Sequence, residues 1–170
     1  MDLKKYISTI ENFPKQGITF RDVNTLLDNA NALKYTIDKF TDYAKSRNAN
    51  KIVGPEARGF LFGMPVAYTT SSPFVPVRKP GKLPRKTVET SYDLEYGSNT
   101  LCMHEDSVKP GDKIVIVDDL LATGGTIAAT IKLIEQLGGE IVGLAFVIEL
   151  DDLNGRDKFK EYDVYSLVHY

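Results

Sequence analysis

The chain has 170 residues and a mass of 18.9 kDa, the size of a single domain. It is 42% hydrophobic and 26% charged, with 21 Lys plus Arg against 23 Asp plus Glu and a formal net charge of -2. That composition excludes disordered, collagenous and coiled-coil chains, and a polycation built for non-specific nucleic-acid binding.

One cysteine, Cys102, leaves no intrachain disulfide and no cysteine-rich zinc site. The N-terminal stretch carries no apolar targeting region, and no run reaches the roughly 18 apolar residues of a membrane span. These features predict a soluble, cytoplasmic domain with no nucleic-acid or membrane partner.

In chain order, residues 2–10 predict a short N-terminal helix, and Asn12 to Arg21 an irregular arm broken by Pro14 and Gly17. Asn31 to Arg47 predicts a helix, with Leu33, Ile37, Phe40 and Ala44 recurring at helical spacing. Lys51 to Val53 predicts a short buried strand, Gly59 to Tyr68 a small helix, and Phe74 to Val77 a further strand. Residues 78–91 crowd Arg78, Lys79, Lys82, Arg85 and Lys86 among Pro80, Gly81 and Pro84, and predict a long exposed loop running into a strand. A loop of that kind is either a solvated basic surface or a functional lid.

Lys113 to Val117 is the strongest signal for a buried strand. Thr126 to Leu137 predicts a helix with Ile127, Ile131 and Ile134 on one face, stopped by Gly138 and Gly139. Glu140 to Ile148 and Asp163 to Val168 predict the last two strands. Alternating strands and helices predict an α/β fold: a mainly parallel central sheet flanked by helices on both faces. No repeat or linker divides the chain.

The chemistry concentrates in Val117 to Thr126, V-D-D-L-L-A-T-G-G-T. A buried strand ends in two carboxylates, and a Thr-Gly-Gly-Thr turn then opens a helix. Ligands of open α/β sheets bind outside the carboxyl ends of the strands. Gly124 and Gly125 let successive N–H groups converge, the helix start adds unpaired donors and a positive dipole end, and Thr123 and Thr126 add hydroxyls. This is a cradle for a phosphate dianion.

Asp118 and Asp119 would repel that phosphate if aimed at it. They suit the vicinal hydroxyls of a ribose, and they favour a cation developing nearby. A phosphorylated ribose satisfies both halves of the motif. A strand-to-helix turn with an acidic cap would explain a shorter match, but here ten consecutive positions fit one purpose. No Walker-type loop, G-x-G-x-x-G or G-x-S-x-G occurs, and His104 and His169 are too isolated for a metal pair.

The motif resembles the ribose-5-phosphate motif of the type I phosphoribosyltransferases, most closely the branch that acts on adenine. The resemblance extends through F-P-K-Q-G-I-T-F-R-D (13–22), G-P-E-A-R-G-F-L-F-G (54–63), V-R-K-P-G-K-L-P (77–84) and S-Y-D-L-E-Y-G (91–97). It continues in Glu149-Leu150 and Leu153 to Arg156. It implies one domain over residues 1–170, with a hood or arm at 1–30 and a flexible lid at 80–95. It implies transfer of 5-phosphoribose from 5-phosphoribosyl 1-pyrophosphate to N9 of adenine, giving AMP and pyrophosphate.

The resemblance implies a role for each of these residues. Asp118 and Asp119 hold the ribose hydroxyls, and Ala122, Thr123, Gly124, Gly125 and Thr126 bind the 5-phosphate. The Glu56-Ala57 turn holds pyrophosphate through backbone N–H groups, on a non-proline cis peptide, assisted by Arg58 and Lys82. Many relatives read D-S-R-G where this chain reads Glu56-Ala57-Arg58-Gly59. Backbone contacts survive that change, whereas a serine hydroxyl does not.

Hypoxanthine and guanine enzymes carry an Asp where this chain has Ala122. The resemblance gives the proton-handling role to Glu95 of the L-E-Y-G segment, with Tyr96 beside it. Phe20 and Leu150 sandwich the base, and backbone groups of Thr19 and Arg21 read its amino edge; without the resemblance, Phe20 and Leu150 read as plain core. The resemblance also implies Mg2+, held mainly through substrate and water, and a homodimer. Two other functions compete: a phosphoribosyltransferase for xanthine, guanine or hypoxanthine, and a non-catalytic sensor of phosphoribosyl pyrophosphate.

Overall fold

The computed structural model describes residues 1–93 and 97–170. At its centre is a five-stranded sheet of β3 (Lys51–Pro55), β4 (Phe74–Val77), β7 (Lys113–Leu121), β8 (Glu140–Glu149) and β9 (Val164–His169). Its order is β4-β3-β7-β8-β9, and every neighbouring pair is parallel. The expected parallel sheet is therefore present. β7 lies in the middle because Ile114, Val115, Ile116 and Val117 are buried on both of its faces, which only a covered parallel strand allows.

Successive residues of β7 serve opposite faces. Val115 and Val117 join Ala145 and Val147 under α2 (Ala30–Ser46) and α3 (Arg58–Thr69), through Phe40, Ile37, Phe62 and Val66. Ile114 and Ile116 join Leu144 and Phe146 under α4 (Gly125–Gln136), through Ile127, Ile131 and Ile134. This second face is also covered by Leu101 and Met103 of an antiparallel hairpin, β5 (Thr87–Asp93) with β6 (Ser98–His104). Helices flank both faces as expected, and the hairpin is an addition to that picture.

Three local expectations are corrected. Residues 2–10 are not one helix: a 3-10 turn over Leu3–Tyr6 gives way to β1 (Ser8–Glu11). The arm is not irregular throughout, because β1 pairs antiparallel with β2 (Thr19–Asp22). A short helix, α1 (Asn24–Leu27), then buries Leu26 and leads into α2. The expected long loop is shorter than residues 78–91, since Thr87 already pairs with His104. Between them Arg85 is ion-paired with Asp106, and Lys82 lies exposed with its N–H donated to the Lys79 carbonyl at 3.3 Å.

Candidate active site

Asp118 and Asp119 sit near the carboxyl end of β7, 9% and 4% exposed. Asp118 Oδ1 accepts the Asp119 N–H at 2.8 Å. Arg58, the first residue of α3, brings its Nε to 3.0 Å from Asp119 Oδ2; that oxygen is buried and makes no hydrogen bond among the described residues. Burial, with the neighbouring Asp119 charge added, pushes the Asp118 carboxyl well above the usual carboxylate range. Burial raises Asp119 as well, against the opposing pull of the Arg58 guanidinium. The closeness of α3 to this pair depends on Gly59, where a Cβ would lie 2.9 Å from Pro55 Cδ and 3.0 Å from Asp118 Oδ1.

The turn before α3 carries a cis peptide between Glu56 and Ala57. Glu56 accepts the Lys79 N–H at 2.5 Å and pairs with Arg78 at 3.5 Å, so this turn is tied to the start of the basic segment.

After β7 the chain turns through Ala122 and Thr123 into Gly124, whose φ of 81° is left-handed and suits glycine. The first helical bond of α4 runs from the Ala128 N–H to the Gly124 carbonyl at 2.9 Å. The N–H groups of Gly125, Thr126 and Ile127 precede it and point out of the helix start. Donors and dipole together make an anion site. The two aspartates, this helix start, Glu56, Ala57 and Arg58 line one cleft of about 1010 Å³.

A second cavity of about 550 Å³ opens beside the hood hairpin, lined by Gly17, Ile18, Thr19, Arg21, Leu150, Asp152, Leu153 and Tyr170. Leu153 borders both cavities. The Phe20 ring lies 5.7 Å from the Arg58 guanidinium and edge-on to Phe13, so the β1–β2 hairpin reaches the first turn of α3. The Arg21 guanidinium stacks 3.9 Å over the Tyr170 ring.

Leu150 is held from below. Its N–H donates to the Leu121 carbonyl at 3.0 Å, and the preceding Glu149 is buried in a network with Arg156 (2.8 and 2.5 Å) and Ser166 (2.6 Å). Burial alone would raise the Glu149 carboxyl, but hydrogen bonds from Arg156 and Ser166 and the Arg156 charge hold it below the usual range.

Of the residues singled out from sequence, the larger cleft gathers Arg58, Asp118, Asp119, Glu56, Ala57, Ala122, Thr123, Gly124, Gly125 and Thr126. The smaller gathers Thr19, Arg21 and Leu150. Phe20 borders neither cavity but faces Arg58, and Lys82 lines neither. Glu95 and Tyr96 lie outside the described residues.

Sequence reasoning passed over Tyr92 and Asp93, which line the larger cleft from β5, and Lys158, which lines it from the turn Gly155–Phe159. Their signal was present, since Tyr92 and Asp93 belong to the S-Y-D-L-E-Y-G run and Lys158 follows the Leu153 to Arg156 run. It also passed over Tyr170, which no local pattern marks.

A parallel sheet with a phosphate cradle and a ribose-suited acid pair at its central switch defines a phosphoribosyl-binding enzyme class. The model of the phosphoribosyl transferase domain matches residues 22–169, and the chain belongs to that family. Its relatives narrow the family to one branch, the adenine phosphoribosyltransferases. It is 60% identical to the adenine phosphoribosyltransferase of Clostridium botulinum, over 100% of this chain and 99% of that one. The crystal structure of adenine phosphoribosyltransferase from Thermoanaerobacter pseudethanolicus is 48% identical with a TM-score of 0.95, covering 99% of this chain and 98% of that one. The enzyme from Saccharomyces cerevisiae, solved with an imino-altritol bisphosphate and adenine, is 38% identical with a TM-score of 0.92, over 98% and 96% of the two chains.

Proposed function

We propose that the chain transfers 5-phosphoribose from 5-phosphoribosyl 1-pyrophosphate to N9 of adenine, releasing pyrophosphate and forming AMP. The observation that carries this reading is the joining of the buried Asp118–Asp119 pair to the N–H-lined start of α4 in one cleft, with Arg58 beside them. The 5-phosphate sits on Thr123 to Thr126, where backbone donors and two hydroxyls replace its hydration. Asp118 and Asp119 accept the ribose hydroxyls. As the bond from C1 to pyrophosphate lengthens, the sugar becomes oxocarbenium-like, and the nearby carboxylates stabilise that charge in a site shielded from water. Hydroxyls arriving at the pair replace the water it lost on burial and favour its ionised form.

The leaving pyrophosphate lies at the Glu56-Ala57 turn and Arg58. Arg58 suits bidentate phosphate contact, and Lys82 adds a point charge when the loop that carries it, ahead of β5, folds over the site. Such closure keeps water from the cationic sugar, and the cations of this segment draw in an anionic substrate.

Mg2+ fits this cleft through the chemistry of its donors. Buried carboxylates, one oxygen of which lacks a hydrogen bond among the described residues, adjoin a phosphate cradle. Magnesium takes one or two carboxylates and fills its shell with substrate oxygens and water. When bound, it neutralises charge on the departing pyrophosphate. Another group of possible ligands, Glu149, Asp151 and His169, is less suited, because Arg156 and Ser166 already occupy the Glu149 carboxylate.

Adenine enters the smaller cavity, between Leu150 and the Phe20 side of the hood. Main-chain groups of Thr19 and Arg21 read its amino edge, and a 6-oxo purine would leave a buried donor or acceptor unpaired. Glu95 handles the proton near N7, with Tyr96 beside it, because Ala122 supplies no carboxylate.

The active form is a homodimer in the cytoplasm. In support of self-association, Leu61, Met64 and Tyr68 recur along one face of α3 and are 43%, 54% and 82% exposed. Sedimentation at micromolar concentration reads a dimer, and Tyr68→Glu with Met64→Glu shifts it to monomer.

The reaction is tested by offering radiolabelled adenine, hypoxanthine, guanine and xanthine, each with phosphoribosyl pyrophosphate and Mg2+. Adenine alone should yield nucleotide at a substantial rate. Turnover of a 6-oxo purine in its place, or of none, overturns the reading.

A further inference from the structure

Tyr92 stands on β5, outside the run from Val117 to Thr126, yet it reaches the heart of the cradle. Its hydroxyl lies 3.1 Å from Thr126 Oγ1. Its ring covers Gly125, where a Cβ would come within 3.1 Å of Tyr92 Cδ2 and 3.3 Å of Cε2. The missing side chain at Gly125 is thus what admits the ring. Thr126 is held from its other side as well, since its carbonyl accepts the Thr130 hydroxyl at 2.8 Å.

We infer that Tyr92 is a positioning residue for the 5-phosphate, acting through the hydroxyl of Thr126. This inference rests on the phosphate-binding reading of the cradle and names what orients one of its donors. A phenol is a stronger hydrogen-bond donor than an aliphatic alcohol, and each hydroxyl carries one hydrogen. Tyr92 donates to Thr126 Oγ1, whose own hydrogen is then directed away from the ring and into the cleft. A dianion bound there receives that hydrogen. Each bond in such a chain polarises the next, which strengthens donation to the charged end. Without the phenol, the Thr126 hydroxyl is a free rotor that must be ordered at the moment of binding.

The consequence reaches beyond one hydrogen bond. Tyr92 belongs to the β5–β6 hairpin, whose two strands flank residues 94–97. Phosphate on the cradle therefore tightens a contact that anchors this hairpin to α4. The donor substrate braces this hairpin before the base arrives.

The test is a double-mutant cycle on Tyr92→Phe and Thr126→Val, read by calorimetric binding of ribose 5-phosphate, AMP and adenosine. Tyr92→Phe keeps the ring over Gly125 and removes only the hydroxyl. It should weaken ribose 5-phosphate and AMP by about 3- to 10-fold and leave adenosine unchanged, a split that loss of packing alone would not produce. Thr126→Val should weaken both phosphates by more, and adding Tyr92→Phe to it should cost nothing further. Equal phosphate binding by wild type and Tyr92→Phe overturns the inference, and so does an undiminished Tyr92→Phe effect in the Thr126→Val background. Both results leave the cradle itself intact, provided Thr126→Val still weakens the phosphates. Failure of the wild-type chain to bind ribose 5-phosphate removes the cradle reading and this inference together.

Discussion

The two cavities are built by opposite means. The larger is made mostly from one continuous stretch, Asp118 to Ile127, hung on the central strand of the sheet, with the turn after β3 and Tyr92, Asp93, Leu153 and Lys158 completing its walls. The phosphate contacts proposed for it come from backbone at a helix start, and its charge from carboxylates carried on β7 itself. The smaller is assembled from three distant places: residues 17–21, residues 150–153 and Tyr170. Its hood strands lie largely on the surface, and Ile10, Phe13 and Ile18 are exposed there. The cleft proposed for the donor is thus mostly local in sequence, whereas the cavity proposed for the base is drawn from distant segments and depends on tertiary structure.

The sharpest way to break this contrast is Glu95→Gln. General acid–base help is typically worth about 10²–10⁴-fold, so turnover with adenine should fall by that order while binding of phosphoribosyl pyrophosphate scarcely changes. Retained activity across neutral pH would assign the proton to solvent or phosphate.

Next in size are Asp118→Asn and Asp119→Asn, which should cut turnover by at least about 10-fold. These carboxyls are raised above the ordinary range, so the folded chain holds more protons than the unfolded one. Their contribution to stability falls as pH rises from the ordinary carboxylate value through the raised one. Asp118→Asn should accordingly melt higher than wild type at neutral pH, and the gain should shrink in acid. A lower melting temperature at neutral pH would show that the pair is stabilising as it stands.

On the base side, Leu150→Ala should raise the KM for adenine several-fold, leave that for phosphoribosyl pyrophosphate within about 2-fold, and cost about 1–3 kcal/mol or less of stability, because Leu150 is only half-buried. Parallel rises in both KM values would mean that the two cavities are one.

The smallest effect concerns Arg156→Met. Glu149 is held below its ordinary range, so its pairing stabilises the fold above the usual carboxylate pKa and is lost as pH falls through the depressed value. The variant should melt a few degrees lower at pH 7, with the gap closing in acid. A gap independent of pH would place the effect in packing.

The same contrast governs what could be read from sequence. Lys113 to Val117 and the turn to Thr126 were legible because strand burial, paired acids and the glycine turn all fall within one window. The N-terminal residues misled because Leu3, Ile7 and Ile10 recur at helical spacing, while pairing with residues 19–22 makes Ser8–Glu11 a strand. That strand is exposed along its length, so it shows no alternation to recognise. Ser98–His104 passed unnoticed for a related reason: its half toward residue 98 is polar and only its half toward His104 enters the core. Tyr170 borders the base cavity through a stacking partner 149 positions away in the chain, Arg21, and no window contains both.

Gly124 and the helix start it opens have a consequence for descent. A donor site written in backbone N–H groups is indifferent to most side-chain change, so mutation leaves it nearly untouched while the fold persists. The residues proposed for the base, in the β1–β2 hairpin and the 150–153 turn, would hold it with side chains and a handful of main-chain groups on lightly buried segments. New base preferences can therefore arise by substitution at the rim, with the sheet and its sugar-phosphate chemistry inherited intact. Divergence in such a lineage should accumulate around the hood and fade toward β7.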